Sequence, residues 1–96
     1  MNFTLNIETD FSPHEVTEAI CSAIEHEKHV ARYKIKRYST ICRDFEVKFG
    51  LSSDELRAKL ETANLNKERS IFDWYAAKRG LDHWSKRLEI LSGISF

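Results

Sequence analysis

His26 and His29 stand three residues apart, with Glu25, Glu27 and His14 close by in the sequence. On a helix that spacing puts two imidazoles on one face, which is how a zinc site can begin. Closing such a site takes further ligands that nothing in the sequence fixes, so the expected state is a solvated polar patch holding no metal and no cofactor. His83 has no evident partner. Cys21 and Cys42 lie 21 residues apart in what reads as one helix. At about 1.5 Å rise per residue they stand roughly 31 Å apart, against the ~7 Å between Cα atoms that a disulfide tolerates. They are expected as free thiols packed as small apolar residues, which suits a reducing compartment. Nucleophilic chemistry has no foothold. No serine sits in a recognisable nucleophile turn, and no cysteine–histidine arrangement emerges. Gly50, Gly80 and Gly93 are too few and too scattered to form a phosphate-cradling loop. An enzyme is not expected.

Composition narrows the class without naming a function. A chain of 96 residues with 42% hydrophobic content has room for one core and is too apolar to be disordered. No apolar run approaches the roughly 18 residues that span a bilayer. The stretch from Met1 to Asp10 also lacks the basic start and apolar centre of a signal peptide, so a cytoplasmic protein is expected. Fifteen bases balance fifteen acids, which argues against a dedicated nucleic-acid binder. That balance hides a segregation. Residues 1–27 carry six carboxylates and no Lys or Arg, while residues 28–48 carry seven bases against Asp44 and Glu46. Opposite halves on one helix suit head-to-tail pairing with a second copy. An acidic partner protein steered by Arg32 and Lys36 is the next reading, and nucleic acid stacking on Tyr33 and Tyr38 is the weakest.

The elements read as follows. Asn2 to Glu8 alternates polar and apolar, with Phe3, Leu5 and Ile7 on one side, and predicts a strand over about 2–8. No second strand is in sight, so its backbone edge would need another chain. Ser12-Pro13-His14-Glu15 is a helix start with a capping box, and the next breaker is Gly50, which predicts a long helix over about 13–49. Ser52 with Glu55 starts a short connecting helix, about 53–62, and Asn64 to Arg69 reads as a polar turn. Ser70 reads as the cap of a C-terminal helix over about 71–92. The fold is therefore expected to be a single, mainly α domain in which the C-terminal helix packs back on the long one as an antiparallel, coiled-coil-like hairpin. Ile35, Tyr38, Cys42 and Phe45 should meet Trp74, Leu81, Trp84 and Leu88. Gly80, inside the last helix, suggests close approach of the facing helix. Phe3, Leu5, Ile7, Val16, Ile20 and Ile24 are left without cover from their own chain, which calls for a homodimer or a complex. With Arg32, Tyr33, Lys36 and Trp74 they form the candidate partner surface.

Arg37-Tyr38, then Phe45 to Leu56 (FEVKFGLSSDEL), then Asp73 to Trp84 (DWYAAKRGLDHW) carry a family likeness. Over roughly residues 37–91 the chain resembles the TumA-like antitoxins that partner TumE-type toxins in type II toxin–antitoxin modules. The resemblance implies a non-catalytic cytoplasmic protein that binds and neutralises a cognate toxin, as a dimer. Two other readings stand beside it. One is a dimeric ribbon-type DNA-binding repressor that reads the major groove with Asn2, Thr4 and Asn6 of the strand. The other is a purely structural helical dimer.

Overall fold

The structure, a computed structural model, describes residues 4–61 and 69–95. Three helices make it up: α1 (Pro13–Phe49), α2 (Ser53–Glu61) and α3 (Arg69–Ser92). α1 starts where its chemistry dictates. The Ser12 Oγ accepts from the Glu15 N–H at 3.2 Å, and the Glu15 carboxylate accepts from the Ser12 N–H at 3.1 Å, closing a capping box ahead of Pro13. It stops at Gly50, which takes a left-handed φ of 62° and donates its N–H to the Glu46 carbonyl at 2.9 Å. α2 follows at once, its first turn capped by the Ser52 hydroxyl, which accepts from the Glu55 N–H at 3.1 Å.

α3 folds back antiparallel on α1. Phe45 and Phe49 stack on Trp74, Tyr38 faces Gly80, and Glu27 pairs with Arg87. A Cβ on Gly80 would come within 2.9 Å of the Tyr38 ring, so a larger residue there would push the two helices apart. The core lies at the closed end of this hairpin. Cys42, Leu56, Ile71, Trp74 and Ala77 are buried there, with Tyr38, Ile41, Phe45, Leu51, Leu60 and Leu81 packed around them. Further along, Ala31 is fully buried, but Ile35, Trp84 and Leu88 are only half-buried. The outline is a rod of 59 × 24 × 19 Å whose length is that of α1.

Three expectations need correction. There is no strand among the described residues. Thr4 to Asp10 is irregular and exposed, with Leu5 at 65% and Ile7 at 52% accessibility; Phe3 lies outside the described residues. A polar–apolar alternation makes a strand only when a neighbouring strand satisfies its backbone, and this chain supplies none. The ribbon-type DNA reading loses its element with it. Trp74, expected as an exposed anchor for a partner, is fully buried, because the inward stripe of α3 carries it into the core. Finally, α3 begins at Arg69, so Ser70 lies inside its first turn and does not cap it. The expected turn from Asn64 and the end of the short helix at Thr62 fall outside the described residues.

Candidate docking surface

The two ends of the hairpin differ in kind. At the closed end the buried polar side chains among the described residues have partners. The Trp74 Nε1–H donates to the Ser53 Oγ at 2.8 Å, and the Ser53 N–H donates to the Glu46 carboxylate at 2.8 Å. Ser53 is itself buried, and among the described residues no buried side-chain nitrogen or oxygen lacks a partner. Burial, only partly offset by a hydrogen bond with Ser53, pushes the Cys42 thiol above its ordinary range, which keeps it protonated and unreactive at neutral pH. Lys78 locks α2 to α3 through Asp54 at 3.1 Å and Asp82 at 2.9 Å, and Arg57 joins Asp82 at 3.3 Å. The hydrogen bond from Asp82 leads in holding the Lys78 ammonium above its usual range. A raised lysine contributes stability that is complete at neutral pH and is lost only as strongly alkaline pH removes the proton.

The open end lacks such closure. α3 ends at Ser92, and Ile94 and Ser95 reach no further along α1 than the shallow recess lined by Cys21 and Ile24. α1 continues for two more turns toward its start. Val16 and Ile20 stay half-buried there, while Phe11, just before the cap, is 71% exposed. Phe11 and Val16 occupy the two positions of a hydrophobic staple and border one shallow depression with Ile7, Thr9, Pro13 and Thr17. Leu5, Ile7, Val16, Ile20 and Ile24, expected at this end, are joined by Phe11, whose one signal in the sequence is its place directly ahead of the capping serine.

A second surface runs along the back of α1, away from α3. Arg32, Tyr33, Lys36, Arg37, Thr40 and Arg43 are all exposed on it, Tyr33 at 60%. Tyr33, Lys36, Arg37, Thr40 and Ile41 rim an open cleft of about 450 Å³. Among the described residues the cations Arg32, Lys36, Arg37 and Arg43 make no ion pair, whereas Lys28, Arg57, Lys78 and Arg87 all do. Four cations without a carboxylate partner thus stand together on this face.

No cluster of three or more His, Cys, Asp or Glu among the described residues is arranged to hold a metal ion. His26 and His29 are exposed, and Cys21 and Cys42 are free, with Cys21 half-buried at the open end and Cys42 buried in the core. Among the described residues no helix is long and apolar enough to cross a membrane. Comparison of the chain with protein-family models, with curated proteins and with solved structures returns no match.

Proposed function

We propose that this chain is a non-catalytic protein-binding module, an antitoxin of the TumA-like kind that acts in the cytoplasm as a homodimer and neutralises a cognate toxin by covering its functional surface. One observation carries the proposal: α1 outruns α3, so Val16 and Ile20 lie beyond the hairpin beside exposed Leu5, Ile7 and Phe11. A small domain that spends so much of its apolar content outside its own core gains most when a second chain covers it. Phe11, Val16 and Ile20 are the anchors, since apolar residues that become fully enclosed dominate an interface. Binding here proceeds by side-chain burial on the start of α1, with no strand pairing. Arg32 and Lys36 steer an acidic partner toward the chain.

The test is co-purification with the product of the neighbouring gene. A stoichiometric complex is expected, weakened at least about thirtyfold by Val16→Asp with Ile20→Asp, because each substitution strands a carboxylate against an apolar surface. Far-UV circular dichroism should show the double variant as helical as the parent. Absence of a complex, or one indifferent to these substitutions, refutes the proposal.

A further inference from the structure

We infer that the back face of α1 pairs antiparallel with the same face of a second copy of this chain. The inference gives the dimer proposed above an interface, and it rests on that reading without depending on any toxin. A charge pattern that has meaning only on a helix of this length carries it. Along the back of α1 one line of side chains advances by alternating steps of four and three residues, which keeps it on one face. Glu18 and Glu25 stand on its first half, and Arg32, Lys36 and Arg43 on its second. All five are exposed, and Glu25 also borders the recess lined by Ile94 and Ser95 just past the end of α3.

Reversed about the point midway between Val30 and Ala31, this line maps onto itself. Glu18 then faces Arg43 of the second copy, Glu25 faces Lys36, Ser22 faces Ser39, and His29 faces Arg32. Twofold symmetry makes each pairing twice. The parallel alternative sets Glu18 and Glu25 against themselves and the bases against bases, which is repulsive throughout. Within its own chain the line is nearly unpaired: Arg32, Lys36 and Arg43 have no carboxylate, Glu18 meets only His14 at 3.9 Å, and Glu25 meets Lys28 at 3.3 Å. Tyr33, beside Arg32 and Lys36 and 60% exposed, adds an aromatic surface. Two helices of about 55 Å in contact over their full length cover on the order of 1,000 Å², the low edge of a specific interface. Complementary charge therefore has to select the register. A polyanion laid along the same face would run onto Glu18 and Glu25.

The experiment is sedimentation equilibrium of the full chain from about 5 to about 200 µM at about 50 mM salt, where exposed charges are least screened. The parent should be a dimer. K36E/R43E leaves Arg32 as the line's one remaining base among five charges, and E18K/E25K makes the line wholly basic. Each alone should weaken dimerisation at least tenfold, and an equimolar mixture of the two should restore it to within about threefold of the parent or better. Lys86→Glu, exposed on α3 and away from the line, should change it less than twofold. A parent that is monomeric throughout overturns both the dimer and this interface. A dimer that survives either reversal overturns the interface alone. A mixture that stays monomeric overturns the register. A parent that associates only when a single-stranded oligonucleotide is added assigns the face to nucleic acid and overturns the inference.

Discussion

The closed end of the hairpin and its open end contain similar residues and behave as opposites. Phe45, Phe49 and Trp74 stack at 5.6–6.3 Å between ring centroids where α1, α2 and α3 converge, and the single indole N–H among them is satisfied. At the other end Phe11, Val16 and Ile20 are as apolar, yet among the described residues no helix closes over them: Phe11 is exposed and Val16 and Ile20 are only half-buried. What separates the two is cover, which follows from helix length: α1 has 37 residues and α3 has 24. An apolar residue stabilises the chain only where a facing element removes it from water. The same residue beyond the reach of α3 is available to another molecule.

This contrast can be broken by substitution. Trp74→Ala should cost about 3–5 kcal/mol in urea unfolding, from the emptied volume and an orphaned Ser53, whereas Phe11→Ala should cost less than about 0.5 kcal/mol. Equal costs would mean that the two ends are not distinct. A thiol reagent sharpens the contrast without a mutation. Cys21 should react at least about a hundredfold faster than Cys42, because Cys42 is 3% exposed, its ionisation is opposed by burial, and labelling it requires the core to open. Similar rates, followed by mass spectrometry of the labelled peptides, would show the core end opening as readily as the free one. The smallest effect probes the seam between the ends. Gly80→Ala should lose about 1 kcal/mol, the crowding of Tyr38 outweighing the better helix propensity of alanine. With Tyr38→Ala already in place, the same substitution should gain up to about 1 kcal/mol. A cycle without that reversal of sign would place the close approach elsewhere.

Local chemistry was the most legible part of the fold. The box at Ser12 and Glu15, the stop at Gly50 and the cap at Ser52 each involve residues three or four apart, so their partners are visible in the sequence. Gly80 could be read because a glycine in the middle of a heptad stripe has a cost that only a close neighbour repays. The segment from Asn2 to Glu8 misled because its alternation describes one side of a pairing whose other side must come from elsewhere. Trp74 carried two signals, a place in the inward stripe and the size of an interface anchor, and the stripe decided its position. At the candidate surface, the uncovered start of α1 followed from counting helical residues. Phe11 did not, since it belongs to no stripe. The chemistry of a partner is written in the complementary surface, and under the pairing proposed above the complement to the back of α1 lies within this same sequence.

The 59 Å rod has a hydrodynamic consequence. Its radius of gyration is 18.9 Å. A compact chain of 96 residues would have one of about 12 to 13 Å, and 18.9 Å is what a compact chain roughly three times as long would show. Judged by size alone, a single copy of this protein therefore imitates an oligomer, and its rotation about the long axis should be markedly faster than its end-over-end tumbling. Mass, not dimension, is the observable that distinguishes one copy from two.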